Sequence, residues 1–362
     1  MSTQPKFALR VCATAAGLVF ASMAQAQSSV TLYGLVDGGL LYTSKTLNTA
    51  TGQNAGHQFS FTDSGLSPSN FGFTGTEDLG GGLKAEFKLE SGFNVGTGGY
   101  NDSNGNFFGR QAYVGVTGGF GEVKAGLQFS PFFLSLYDLD PRGLSQFASS
   151  LVIYADNAFA TGIFTPNAVS YTSPVLWGFQ ASALLSLGGV AGDFQNGRQY
   201  SASLKYDNGT VMVAASYFNA NASTGTALTT PTPTQLPVSF QGRQLGASYK
   251  IGKLTAKASF VNFRVGDQSN NVYGGGLDFL ALPQLDLNAG VWYEEQRKQT
   301  TNHSLLAGIG ASYFLSRATT LYAQVAVVNN HGTMDTGLSI NNAMFGAGGT
   351  TTGVNIGIRH LF

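Results

Sequence analysis

The side chains best placed to act on another molecule are charged residues at two kinds of spacing. From Leu83 to Glu90 every second residue is charged, so an extended strand presents Lys84, Glu86, Lys88 and Glu90 on one face and Leu83, Ala85, Phe87 and Leu89 on the other. Across residues 131–167, Asp138, Asp140, Arg142 and Asp156 are spread through a connection that is otherwise mostly apolar and aromatic. Neither spacing makes a reaction centre. Nucleophilic or acid–base catalysis needs a base within hydrogen-bond reach of its partner. The histidines are His57, His303, His331 and His360; three lie in or beside connections, and no Gly-x-Ser-x-Gly or His-Glu-x-x-His motif occurs. Opposed rows of charge can instead set a transverse field across a narrow passage, which sorts solutes by charge and dipole. The candidate constriction residues are Lys88, Arg110, Lys124, Glu86 and Asp37 on the wall, facing Asp138, Asp140, Asp156 and Arg142 on the connection. For Asp138 and Asp140 the plainer alternative is turn formation before Pro141. Lys84, directly after the glycine turn, is better explained as a solvated lysine.

A passage needs a wall, and period-2 alternation recurs along the chain. Segments of about ten residues follow one another from Val30–Tyr42 and Asn70–Glu77 to Thr319–Val328 and Thr352–Phe362, giving sixteen candidate strands. Tight turns such as Asp78–Gly82, Gly118–Gly121 and Asp207–Gly209 alternate with longer loops, as in an up-and-down barrel. A barrel of roughly sixteen strands leaves a water-filled lumen, whereas about eight strands fill with side chains. The inward positions agree: Lys205, Gln244, Lys257, Asp278, Asn288, Glu294, Gln324, Asn355 and Arg359 could not all be buried in a packed core without partners. Alternation places Val123, Ala125, Leu127 and Phe129 outward. Tyr33, Tyr113, Phe129, Tyr249, Tyr293 and Tyr313 fit interfacial aromatic girdles. Connection 131–167 is too long and too apolar for a loop in water, so it is expected to fold into the lumen and narrow the channel.

Composition points the same way. Charged residues make up 10% of the chain and aromatics 12%, with 49 glycines; a water-soluble domain is nearer a quarter charged. Lys6 and Arg10, the apolar run Val11–Met23 and Ala24-Gln25-Ala26 read as a secretory signal peptide over residues 1–26, leaving residues 27–362 as one barrel. Removing it tips 19 basic and 19 acidic residues to a slightly negative balance, which does not favour nucleic acid. Cys12, the only cysteine, lies inside the signal, so no disulfide or thiolate metal site is expected. No helical membrane span follows it. Together these features describe an all-β, transmembrane antiparallel barrel.

Several blocks resemble the Gram-negative general porins of the β-proteobacterial outer membrane: Ser29–Gly34, Phe71–Ala85, Phe108–Gly115 and Gly357–Phe362. The resemblance implies a homotrimer of sixteen-stranded barrels with loop three inside each. It also implies passive diffusion of ions and small hydrophilic solutes, without cofactor or energy source, and a terminal aromatic, here Phe362, that serves as the outer-membrane assembly signal. Where the resembling porins carry basic residues, this chain has Asn70, Thr74 and Leu127, while Arg110 is kept. Their loss predicts weak selectivity leaning towards cations. The inner face shows no aromatic track, which favours a general channel over a substrate-specific one. A barrel enzyme and a plugged, adhesive barrel are the other classes considered.

Overall fold

Thr319–His331 shows in one strand why the chain folds as it does. Leu321, Val325 and Val327 are exposed, whereas Tyr322, Gln324, Ala326 and Val328 between them are buried. The exposed face is thus apolar while the inner face carries the polar Thr320, Tyr322, Gln324 and Asn330, the reverse of a soluble sandwich and the pattern of a strand with lipid on one side. Backbone groups in lipid need internal partners, so such strands must close on themselves.

The computed structural model describes residues 29–158, 162–221 and 239–362. The expected signal peptide, Phe159 and most of the Thr/Pro-rich loop between Asn219 and Ser239 lie outside them. Strand β1 (Ser29–Thr43) pairs with both β2 (Gln58–Asp63) and β3 (Asn70–Gly80), which together make one interrupted span. Next come β4 (Leu83–Gly92), β5 (Gln111–Gly118), β6 (Gly121–Gln128), β7 (Thr165–Thr172), β8 (Phe179–Ser186) and β9 (Gln199–Asp207). Then follow β10 (Val211–Ala220), β11 (Phe240–Ile251), β12 (Leu254–Val265), β13 (Gln268–Leu282) and β14 (Leu285–Gln296). Strands β15 (His303–Phe314) and β16 (Thr319–His331) precede a small hairpin, β17 (Thr336–Ser339) and β18 (Ala343–Phe345), and the chain ends with β19 (Gly349–Leu361). Each span pairs antiparallel with its sequence neighbour, and β19 returns to β1 from Leu35↔Leu361 to Thr43↔Gly353. Among the described residues this is a closed antiparallel barrel of sixteen spans.

Residues 131–158 are not the irregular loop that the alternation left there. They contain two helices, α1 (Pro131–Leu139) and α2 (Ser150–Ala158). The Ser130 hydroxyl caps α1 by accepting from the Phe133 N–H at 3.2 Å, and Pro131 occupies the first turn, where its missing N–H costs nothing. Phe132 and Tyr154 join Phe218, Phe240 and Phe263 in one buried cluster with ring centroids 5.6–6.4 Å apart. Burying each such ring is worth about 1.5–3 kcal/mol, so the segment docks firmly on β10–β12.

Strand β6 corrects a second expectation. Its pairing with β7 slips between Gly126 and Gln128, and Gly126 has φ +136°, which only glycine adopts readily. The bulge breaks the parity. Leu127 and Phe129 turn towards the helical segment instead of outward, and Phe129 packs on Phe133 and Phe164. Tyr33 and Tyr113 likewise leave the girdle: each lies under a lysine ammonium, Lys88 at 5.2 Å and Lys124 at 5.1 Å. Tyr249 and Tyr313 are exposed, as girdle residues should be.

Candidate functional site

Several contacts fasten the segment to its surroundings. The Phe132 N–H donates to Ser201 Oγ at 3.0 Å. At the other end of α1, the Lys257 ammonium donates to the carbonyls of Asp138 and Asp140 at 2.8 and 3.0 Å, where a cation offsets the partial negative charge of a helix C-terminus. Arg142 makes a third set: it donates to Asn288 Oδ1, to the Phe147 and Ala148 carbonyls and to Gln324 Oε1 at 2.5–3.1 Å. Finally, residues 146–148 bond with the β17–β18 hairpin through Ile340 N to Gln146 O and Ala148 N to Leu338 O. Glycines on the wall make room for these contacts. A Cβ at Gly242 would meet Phe132, one at Gly276 would meet Pro141, and one at Gly308 would meet Arg142 and Ala148.

Asp37 is fully buried and does not line a passage, which corrects its expected place at a rim. Its carboxylate accepts from the Gly65, Leu66 and Ser67 N–H groups at 2.9–3.2 Å and from the Tyr322 hydroxyl at 2.7 Å. It thereby shapes the break between β2 and β3. The Gly65 carbonyl there accepts from Ser145 and Gln324 side chains, and the Leu66 carbonyl from the Gln146 N–H. Asp37 thus positions the middle of the helical segment through backbone groups.

The other predicted residues separate into groups. Lys88 and Arg110 share Glu90, at 3.2 and 2.7 Å, and the Tyr33 hydroxyl donates to the same carboxylate. The Arg110 guanidinium also stands over Phe129 and Phe164 at 5.7 and 5.9 Å. Nearer the short turns, Lys124 pairs with Glu122 at 2.7 Å, and Glu86 reaches the same patch across Gly115. On the segment, Asp138 pairs with Lys205 at 3.1 Å. Asp140 is buried and accepts from Arg142 N, Leu144 N, Ser150 N and Ser150 Oγ, so the turn role prevails over the rim. Asp156 stands apart, within 3.4 Å of Thr336 Oγ1. Desolvation, with the Glu294 and Asp335 carboxylates nearby, holds its carboxyl well above the ordinary value. Burial lowers Arg142 to about 10, opposed by Asp140, which leaves it a cation at neutral pH. The segment's carboxylates thus enter an ion pair (Asp138), a turn (Asp140) and an acidic cluster (Asp156).

A cavity of about 480 Å³ lies between the segment and the wall. Phe133, Leu134, Tyr137, Pro141, Arg142 and Leu151 line one side, and Arg110, Phe129, Asp278, Asp286, Asn288 and Arg359 are among those lining the rest. Of the predicted residues only Arg110 and Arg142 reach it. Asp278, Asp286 and Arg359 were missed as site residues. Alternation had turned Asp278 and Arg359 inward, but nothing in their spacing distinguished them from a dozen other inward polar groups. The Arg359 guanidinium donates to Ser67 Oγ at 3.1 Å, beside the break that Asp37 holds.

At the rim of the short turns, the terminal Phe362 exchanges backbone hydrogen bonds with Gly34 in both directions at 3.0 Å, and its ring covers that glycine.

Known proteins share this arrangement. The family described as Gram-negative porin matches residues 13–333. Outer membrane porin protein 32 of Delftia acidovorans is 32% identical across 95% of this chain and 97% of its own length. An outer membrane porin protein of Bordetella pertussis is 30% identical over 95% and 97% respectively. Among solved structures, an anion-selective porin from Comamonas acidovorans superimposes with a TM-score of 0.78 at 27% identity, over 93% of this chain and all of that one. A trimer form of an outer membrane protein from Vibrio cholerae, at 15% identity and a TM-score of 0.65, shares the fold. The chain is a Gram-negative porin, a channel-forming β-barrel of the outer membrane.

Proposed function

We propose that this porin is a general diffusion channel for ions and small hydrophilic solutes, weakly selective and leaning towards cations. In this reading the described residues of connection 131–167 lie across the lumen and the 480 Å³ cavity is the narrow part of the path. The observation that carries it is the charge balance of the cavity lining. Arg110 is offset by Glu90, whereas Arg142 is buried with its guanidinium bonded to Asn288, Gln324 and two backbone carbonyls. Asp278 and Asp286 then face two guanidiniums, the buried Arg142 and the more exposed Arg359; none of the four enters an ion pair among the described residues. One similar porin of solved structure, from Comamonas acidovorans, is anion-selective, whereas Asn70, Thr74 and Leu127 here stand where the resembling porins carry basic residues. The homotrimer, the assembly role of Phe362 and passive diffusion without cofactor or energy source belong to the same proposal.

Planar-bilayer recording in a KCl gradient tests it. Conductance steps in groups of three, with a reversal potential near zero or on the cation side, support the reading. A strongly anion-selective potential rejects the charge balance and keeps the pore. Absence of conductance rejects the open channel.

A further inference from the structure

Two of the four histidines have no part in the channel. His303 opens β15 and His331 closes β16, directly opposite each other in register. Their imidazoles stack with centroids 4.5 Å apart and planes 20° apart. Both sit at the long-loop rim on the outer face. Leu305 and Val327, of the same parity, are exposed, while Ser304 and Asn330 turn inward and bond to each other at 2.6 Å. In outer-membrane barrels this rim is the extracellular one.

The hydrogen bonding of His303 fixes its tautomer. Nδ1 lies 3.1 Å from the Thr300 carbonyl, which can only accept, so Nδ1 carries the proton. The lone pair of the neutral ring is therefore on Nε2, oriented by a backbone carbonyl as in many metal-ligating histidines. The His331 ring has no hydrogen-bond partner among the described residues and lies half in solvent beside it. Tyr293 covers the far side of His303 with centroids 5.7 Å apart. Glu295, opposite His303 on β14, adds negative charge to the patch.

We propose that His303 and His331 bind a divalent transition-metal ion at the extracellular rim, clipping β15 to β16. Copper(II) is held more tightly than nickel(II) or zinc(II), following the usual order for nitrogen ligands. Water fills the remaining positions. A nitrogen–metal bond of about 2.0–2.1 Å to both rings requires them to leave the parallel stack so that the Nε2 lone pairs converge; the exposed His331, without a hydrogen-bond partner among the described residues, supplies that rotation while His303 keeps its Nδ1 bond to the Thr300 carbonyl. The competing reading, two interfacial aromatics in contact, requires neither the fixed tautomer nor two adjacent imidazoles.

The untagged, EDTA-stripped protein in detergent would be titrated with copper(II) and followed by electron paramagnetic resonance, alongside His303→Ala, His331→Ala and the double variant. Bilayer conductance reports that each variant is folded. The expected result is one copper per chain with superhyperfine splitting from two nitrogens. Either single substitution should weaken binding at least tenfold, while His57→Ala and His360→Ala leave it unchanged. Equal affinity in the double variant, or two-nitrogen splitting that survives loss of either histidine, would overturn the proposal.

Discussion

Asp102 shows how far one residue's chemistry departs from its sequence context. It sits in the loop before β5, in a stretch of Asn, Gly and Ser that reads as solvated, yet its side chain is buried and Oδ2 has no hydrogen-bond partner. Burial raises its carboxyl to about 7; the Arg110 guanidinium opposes this and the Asp63 carboxylate adds to it. An acid whose folded pKa lies above its ordinary 3.8 binds more protons folded than unfolded between those values. Stability therefore falls as pH rises from about 4 to about 7 and is level above that. Asp102→Asn keeps the shape, and asparagine tolerates the backbone φ of +48° found there. The variant is expected to flatten this window and to stabilise the loop near neutral pH, read as hydrogen-exchange protection of residues 93–110 at pH 4 and pH 7. A wild-type loop equally protected at both would reject the argument. Asp37 teaches the same lesson: one inward carboxylate on a strand looks like another in sequence, and only its four donors separate an anchor from a rim charge.

At the scale of elements, the seat of the helical segment is carved by what the wall lacks. Gly308 leaves the space that the Arg142 guanidinium fills, and a Cβ there would strike it. Gly308→Val, otherwise a favourable strand substitution, is expected to displace Arg142 from Asn288 and Gln324. Losing hydrogen bonds to a buried charged group costs roughly 1.5–3 kcal/mol. The measurable outcome is noisier, larger single-channel conductance and faster proteolysis within residues 131–158, with the barrel itself still closed. Unchanged conductance and proteolysis would mean that Arg142 does not hold the segment. The strands were legible because lipid outside and water inside impose strict alternation, and all sixteen spans fall where the alternation put them, with ends shifted by a few residues. The parts missed are those where tertiary contacts override period 2. Strand β2 is set off by the Asp37-held break, the parity of Leu127 and Phe129 is reset by the bulge at Gly126, and the β17–β18 hairpin pairs with residues 146–148. Ser130-Pro131 did carry a helix-start signature, masked by the expectation of an irregular loop.

For the whole molecule, charge alone does not give selectivity; what counts is charge left uncompensated along the path. Lys88, Arg110, Lys124 and Lys205 all face an acidic partner within 3.2 Å, and a passing ion sees each pair as a dipole whose field dies away quickly in water and salt. Asp278 and Asp286, like Arg142 and Arg359 at the same cavity, enter no such pair among the described residues. The two aspartates sit on adjacent strands at the cavity, with Asn288 in register opposite Asp278 and donating to Asp286. At a few ångströms in a wet passage, a unit charge alters the energy of an ion by about 0.5–1 kcal/mol. Replacing both by asparagine, which keeps the side-chain volume, removes two charges that each act oppositely on the two ions and is therefore expected to lower the potassium-to-chloride permeability ratio by more than about tenfold. The reversal potential should move to the anion side while conductance stays within the wild-type range. Arg359→Gln should move it the opposite way, and Lys124→Gln, whose charge Glu122 already offsets, should have the smaller effect of the two lysine and arginine changes. If the paired residues set the potential and the Asp278/Asp286 variant leaves it unmoved, the selectivity resides on the lysine-bearing wall of β4–β6 and the path runs beside that wall.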